Sequence, residues 1–339
     1  MKAACLVKYG SSHTAFEIRE VDIPQPSSEE ILIKVEAFGL NYADVMARLG
    51  LYKAAPPLPA ILGYDVVGYV TKCGADVQNI KIGDRVTALT RFGGYAEYAI
   101  AKNEVANIIP DSMEAGVAVA LATQYATAYF LAYDMANLQE NDTVLVHAAA
   151  GGVGTALVQM ALDRNCTVFG TCSSAEKIDY LVKNGVHHPI NYLETDFGSS
   201  VKTILKKKGL DVIFDPVGGK SVKKGYQLLA SGGRLFSFGV SSMSKAKSIF
   251  GKLKVLAQFG IYHPLQFLGG SKGIIGVNML KIADENPEKI GRAMKAVIQL
   301  AEQSVLKPHV GGEFEIHQLT EAHQLLESRQ SMGKIVVKW

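Results

Sequence analysis

The chain has 339 residues, 48% of them hydrophobic and 20% charged, with a formal net charge of +3. That length allows two domains with sizeable cores, the composition excludes a disordered chain, and so small a charge, without a basic run interleaved with aromatics, argues against nucleic acid as a partner. Cys5, Cys73, Cys166 and Cys172 form no CxxC pair, polar residues follow Lys8 where a signal peptide needs an apolar core, and no uncharged apolar run of about eighteen residues occurs, so a cytoplasmic chain without a transmembrane segment is expected.

Residues 2–7, 30–37, 63–72, 85–89 and 95–101 are short apolar runs separated by Gly- and Pro-bearing turns, which predicts a mostly β unit. After Ala115 helices alternate with apolar strands at 143–147, 167–171, 212–215, 234–239 and 274–278. Such alternation calls for a parallel sheet with right-handed crossovers. Two amphipathic helical stretches, 288–303 and 320–328, and a last strand, 333–339, are too few for a third domain and are expected to complete the first. The expected division is 1–124 with 280–339, and 125–279, with a cleft between the lobes for a small ligand.

The stretch from Thr143 to Leu162 is a strand, a small-residue turn and a helix in direct succession. Ala149, Gly151 and Gly154 take the three positions of a dinucleotide fingerprint, so the first bend must tolerate a Cβ, and Ala150, Gly151, Gly152, Val153 and Gly154 supply the backbone that meets a pyrophosphate. About twenty residues beyond such a turn, a carboxylate selects the ribose 2'-hydroxyl of NAD. The second strand instead ends in Cys172, Ser173 and Ser174. Ser173, Ser174, Lys177 and, after the next strand, Tyr192 are expected around a 2'-phosphate, where one charge-assisted contact contributes about 1.5 to 3 kcal/mol. The cofactor is therefore read as NADPH; alternatively Lys177 is a solvated helix lysine with Glu176 and Asp179 nearby. Val217, Gly218, Phe238 and Gly239 end parallel strands and should line the nicotinamide side. Asn278 touches cofactor or serves a turn or dimer edge, and His147 contacts a neighbour or faces cofactor.

Asn41-Tyr-Ala-Asp44 with Arg48-Leu-Gly-Leu-Tyr52, Gly63-Tyr-Asp65, Gly83-Asp-Arg-Val86, Gly94-Tyr-Ala-Glu-Tyr98, Ala148 to Gly154, Asp215-Pro-Val-Gly-Gly219 and Gly333-Lys-Ile-Val336 follow one another across nearly the whole chain. In that order and spacing they resemble the zinc-independent quinone oxidoreductase (zeta-crystallin-like) branch of the medium-chain dehydrogenase/reductase superfamily. Gly270 to Met279 and the Lys-rich insert before it are similar to the VAT-1-like homologues of that branch. The resemblance implies an α/β chain: a GroES-like, mostly β catalytic domain plus a Rossmann domain with a doubly wound parallel sheet. Aligned by motif, Asn41, Tyr64 and Thr123 stand where zinc-dependent relatives carry metal ligands, and an amide, a phenol and a hydroxyl do not hold zinc competitively. No metal is expected, and none of the eight histidines has a Cys or His partner at ligand spacing.

The implied chemistry is hydride transfer from NADPH to an acceptor already electron-poor, a quinone or an α,β-unsaturated carbonyl. By resemblance Asn41 and Tyr52 are the catalytic candidates; without it they read as a turn residue and a packing tyrosine. Thr127 is implied at the nicotinamide ribose or ring, and a homodimer joined near 274–279 is implied. Asp44 is expected to fix Asn41 or Arg48, and Asp65 to steady the bend at Gly63.

No acidic residue lies between Asp215 and Asp284, where Lys245, Lys247, Lys252 and Lys254 cluster beside Phe250, Leu253, Leu256 and Phe259. This segment is a substrate lid, a dimer contact, or a patch for anionic phospholipid or a partner protein, with Pro264 expected to end it. The patch reading carries a second function class, a dinucleotide-binding protein acting mainly in membrane-surface or partner association.

Overall fold

Strand pairing divides the chain in two. The computed structural model describes residues 1–246 and 248–339. One unit is Met1–Thr127 with Leu280–Trp339, the other Ala128–Met279. Lys247 and the side chain of Lys245, from the basic segment, lie outside the described residues.

In the first unit an eleven-residue strand, Glu30–Leu40, organises a seven-stranded sheet. It pairs antiparallel with Asp65–Cys73, with Tyr98–Lys102 and with the last strand of the chain, Lys334–Lys338. Arg85–Leu89, Ala106–Ile108 and Val310–Glu315 complete the sheet, while Phe16–Glu20, Lys2–Leu6 and Ala60–Ile61 form a small second one. Ile31, Ile33, Phe38, Val66 and Val86 are fully buried, each stabilising the unit by about 1.5 to 3 kcal/mol relative to exposure. Beyond the predicted elements, a short helix, Tyr42–Arg48, starts directly after Asn41.

The second unit is a six-stranded parallel sheet ordered His188–Asn191, Thr167–Cys172, Thr143–Val146, Leu210–Asp215, Leu229–Ser237, Gly273–Gly276. Its strands read as continuous apolar runs because both faces are covered: Val144, Leu145, Val146, Val212, Ile213 and Phe214 are all fully buried. The first strand of this unit lies between the second and the fourth, so strand order reverses there. In doubly wound sheets ligands bind outside the carboxyl ends of the strands at such a reversal.

One expectation is qualified and one is corrected. Helical residues run from Ala115 to Met135, with π-helical turns at Leu121–Tyr125 and Phe130–Met135, and this helix is long and apolar enough to cross a membrane, with mean hydropathy 1.3. It is a core helix, however, since 83% of that apolar window is buried inside the protein. Pro264, expected to end the basic segment, instead opens a helix, Pro264–Gly270, because a missing N–H costs nothing in a first helical turn. The preceding helix, Ile249–Gln258, has already ended.

Candidate active site

In the second unit the chain leaves strand Thr143–Val146 through a bend whose left-handed residue is Ala148, at φ 53°. Ala149, where the fingerprint places its first glycine, keeps its Cβ because Gly170 stands opposite: a Cβ there would lie 3.0 Å from that of Ala149. Gly154 is required for packing, since a Cβ would run into the Ala148 carbonyl and lie 2.8 Å from the Ala149 Cα. Helix Gly152–Asp163 follows, capped by Gly151. Its first intrahelical donor is Thr155, bonded to the Gly151 carbonyl at 2.7 Å. The N–H groups of Gly152, Val153 and Gly154 precede it and form the positive end of the helix, suited to an anion.

Beyond the second strand Ser174 caps helix Ala175–Lys183, its Oγ accepting from the Lys177 N–H at 3.3 Å. Lys177 is not a solvated lysine: it is only 8% exposed, and desolvation lowers the pKa of its amine, against the favourable effect of Cys172 and Glu176. Ser173 adjoins the cap. Tyr192 follows strand His188–Asn191, its N–H bonded to the Cys172 carbonyl at 3.0 Å, and remains 39% exposed.

At the strand-order reversal His147 and Asp215 are both buried. Asp215 Oδ1 accepts from the N–H groups of Val217 (2.7 Å) and Gly218 (2.9 Å), which holds the following turn, where Gly218 has φ 77°. His147 Nδ1 lies 3.0 Å from Thr171 Oγ1. Burial lowers the His147 pKa, with the charge of Asp215 opposing. His147 Nε2 and Asp215 Oδ2 have no hydrogen-bond partner among the described residues. Phe238 follows strand Leu229–Ser237, its N–H bonded to the Asp215 carbonyl at 3.0 Å, and a Cβ on Gly239 would approach the Pro216 carbonyl to 2.7 Å. Asn278 follows Val277, whose N–H bonds the Ser237 carbonyl at 2.9 Å. Ala150, Gly151, Gly152, Val153, Gly154, Val217, Phe238, Gly239 and Asn278 thus all follow carboxyl ends of strands of this one sheet. Thr127, also expected at the cofactor, is a buried residue at the end of the other unit's segment.

In the first unit Asn41 is the N-cap residue of helix Tyr42–Arg48 and belongs to a buried polar network. Its Oδ1 accepts from Lys334 Nζ at 3.1 Å, and its Nδ2 lies 3.2 Å from both carboxylate oxygens of Asp65. Lys334 Nζ also donates to Asp65 Oδ2 at 2.5 Å, and neither charged side chain reaches solvent. Gly39 makes room, since a Cβ there would run into Lys334 Cε and Nζ. Asp44 Oδ2 accepts from the Asn41 N–H at 2.8 Å, and its Oδ1 from the Gly63 N–H at 3.2 Å. The bend at Gly63 is therefore steadied by Asp44 and not by Asp65, because Asp65 is committed to Lys334. Arg48 turns away, to the Gly10 carbonyl and Glu327. Burial pushes the Asp44 carboxyl up to about 7, with the Asn41 N–H opposing.

Tyr52 and Tyr64 meet edge to face, ring centroids 6.3 Å apart, and Phe92 packs 5.0 Å from Tyr64. Burial raises the pKa of both phenols, so both are protonated donors at neutral pH. Thr123 Oγ1 is buried without a hydrogen-bond partner among the described residues, while the buried Tyr64 hydroxyl interacts with the Tyr52 phenol. Among those residues no group of three or more His, Cys, Asp or Glu side chains is arranged to hold a metal ion. Lys334 was missed as a site residue in the sequence; its signal is a lysine opening the apolar run Lys334–Lys338, whose first four residues are buried.

The buried pair predicts a large stability effect. Lys334→Met should destabilise by about 3 to 5 kcal/mol in urea denaturation by leaving Asp65 charged and uncompensated, and adding Asp65→Asn should restore a substantial part.

Residues 27–111 match the alcohol dehydrogenase GroES-like domain family, and residues 152–286 the zinc-binding dehydrogenase family. The synaptic vesicle membrane protein VAT-1 homolog of Danio rerio is 36% identical over 93% of this chain, which spans 65% of that protein's length. A quinone oxidoreductase of Rattus norvegicus is 30% identical over 99% of this chain and 97% of its own. The crystal structure of Escherichia coli quinone oxidoreductase complexed with NADPH superposes with a TM-score of 0.87 at 27% identity, covering all of both chains. With both domains matched in order and a relative of this identity aligned end to end, the chain belongs to the quinone oxidoreductase branch of the medium-chain dehydrogenase/reductase superfamily, which it shares with the VAT-1 homologues.

Proposed function

We propose that this chain is an NADPH-dependent, zinc-independent reductase whose hydride acceptor is a quinone or an α,β-unsaturated carbonyl. The observation that carries the reading is the buried Lys177 on a Ser174-capped helix, beyond a strand end that lacks the carboxylate expected for NAD. The NADPH-complexed quinone oxidoreductase with the same fold supports the cofactor. NADPH, when bound, supplies hydride from C4 of its nicotinamide. The residues fit it: the Gly152, Val153 and Gly154 N–H groups suit the pyrophosphate, and Ser173, Ser174, Lys177 and Tyr192 the 2'-phosphate. Thr127, Val217, Phe238, Gly239 and Asn278 serve the ribose and nicotinamide end.

For the acceptor the chain offers hydrogen bonds in place of a Lewis acid. Tyr52 is a protonated phenol able to polarise a carbonyl and to deliver a proton to the enolate or hydroquinone anion. Asn41 is held by Lys334 and Asp65 in one amide orientation, so any N–H it lends to an acceptor is preorganised. The same network supports zinc independence. Asn41 Oδ1 and Asp65, the acceptors a cation would seek, are already engaged by an ammonium, while Tyr64 and Thr123 contribute neutral hydroxyls. A homodimer is proposed through strand Gly273–Gly276, an edge of the parallel sheet whose outer N–H and C=O groups can extend it.

A specific observation favours a second reading, association with an anionic membrane surface. Ile249 (67% exposed), Phe250 (80%), Ile261 (97%) and Leu268 (76%) project from the segment containing helices Ile249–Gln258 and Pro264–Gly270, beside Lys252 and Lys254 and with no acid nearby in sequence. Apolar side chains with lysines suit a headgroup layer.

The reductase reading is tested by mixing purified protein with NADPH and a panel of quinones and enones. Absorbance of the nicotinamide band should fall, and should do so equally with a chelator present; a blank across the panel rejects the reading. Lys177→Ala should weaken NADPH binding about 10- to 100-fold while NADH binding changes little, and equal losses would remove the 2'-phosphate assignment. For the second reading, the protein should float with liposomes containing anionic phospholipid, and Lys252→Glu with Lys254→Glu should abolish flotation without slowing turnover.

A further inference from the structure

Residues 90–94 form a bend that holds a bulky residue in an unfavourable backbone conformation. Phe92 has φ 67° and is 7% exposed, and Gly93 follows at φ 84°. Left-handed backbone is strained for an aromatic residue and persists only where surrounding contacts over-determine it. Those contacts are present. The Thr90 N–H bonds the Tyr64 carbonyl at 2.7 Å, Thr90 Oγ1 the Gly63 carbonyl at 3.0 Å, and the Gly93 N–H the Ile61 carbonyl at 3.0 Å. The bend is therefore locked onto the segment that carries Tyr64, with Phe92 against the Tyr64 ring.

The neighbour this bend presents is Arg91. Its Nε donates to Asp284 Oδ1 at 2.7 Å, which anchors one edge of the guanidinium, and the side chain is 61% exposed. Among the described residues no hydrogen bond engages either Nη group, which leaves donors facing solvent. Its chain neighbour Phe92 packs on the Tyr64 ring at 5.0 Å, and Tyr64 meets Tyr52 at 6.3 Å, so the bend that carries Arg91 is built onto the two phenols.

We infer that Arg91 is a specificity-determining residue: its free Nη edge takes a carboxylate carried by the acceptor, so that the preferred substrates are anionic enones or quinones. The inference rests on the reading above that Tyr52 serves the acceptor carbonyl, and adds the class of substituent attached to it. An arginine fork suits a carboxylate because its planar donors match the two oxygens, and a lysine at the same place would act only as a point charge. Asp284 positions the fork while leaving its outer donors available.

The test compares one enone as its free carboxylate and as its methyl ester, using wild type, Arg91→Lys and Arg91→Ala. KM and kcat are measured with NADPH, and binding of both compounds is measured by calorimetry in the presence of NADP+. Wild type should prefer the acid, and Arg91→Ala should raise the acid-to-ester ratio of KM, and of dissociation constants, about tenfold or more. Arg91→Lys should fall between. If wild type shows no preference for the acid, or if Arg91→Ala shifts acid and ester equally while lowering the melting temperature, Arg91 only clips Asp284 to the bend and the inference is overturned. Absence of turnover with both compounds would reject the reductase reading, while the binding ratio still decides the role of Arg91.

Discussion

The first unit is built around one buried ion pair. Lys334 and Asp65 come from strands on either side of the long strand Glu30–Leu40, and their charged groups meet over Gly39, where no side chain intervenes. Removing two charges from water is costly, and the pair is tolerable only because its remaining valences are filled. Asn41 does this from one side, accepting from the ammonium and donating to the carboxylate. Asp44 ties the Asn41 backbone to Gly63. One electrostatic constraint thereby sets the amide orientation of Asn41, the start of helix Tyr42–Arg48 and the course of the chain before Tyr64.

In the function proposed above, that constraint is what would let donors of this unit polarise a carbonyl without a metal ion. Phenols kept protonated by burial, an amide unable to rotate and a partly exposed guanidinium are fixed donors, and fixed donors need not reorganise when charge develops on an acceptor oxygen. The second unit uses the same economy for anions. Gly154 lets the helix sit against the turn, Asp215 holds the neighbouring turn through the N–H groups of Val217 and Gly218, and buried Lys177 lacks solvent to share its charge with. In each unit the polar groups suited to a ligand are held in place by buried partners, Lys334 and Asp65 around Asn41 and Asp215 at the Val217–Gly218 turn.

Much of this was visible beforehand. The parallel sheet was legible because fully buried strands are continuous apolar runs of fixed length, and the dinucleotide turn because Ala148 to Gly154 is a local pattern whose geometry follows from the absence of side chains. The lack of an acid after Cys172 was equally local. Less legible were the helix at Tyr42, masked by the motif around it, and the long helix through Ala115–Met135, whose apolar composition reflects burial in the protein. Pro264 was misread because the same residue stops one helix and starts another, and only the position of the preceding helix end distinguishes the two.

Spacing along the chain was sufficient for the two-part α/β architecture, the helix-start backbone suited to a pyrophosphate and the candidate Lys177, because each belongs to a motif of neighbouring residues, whereas Asn41 and Tyr52 became candidates only through the family resemblance. Folding alone settled which carboxylate steadies Gly63, which one is neutralised, and that Lys177 is buried. Asp65 and Asn41 stand 269 and 293 residues from the Lys334 that joins them. No local period records a contact at that separation; it exists only once the last strand pairs with Glu30–Leu40 and carries its ammonium over a residue with no side chain.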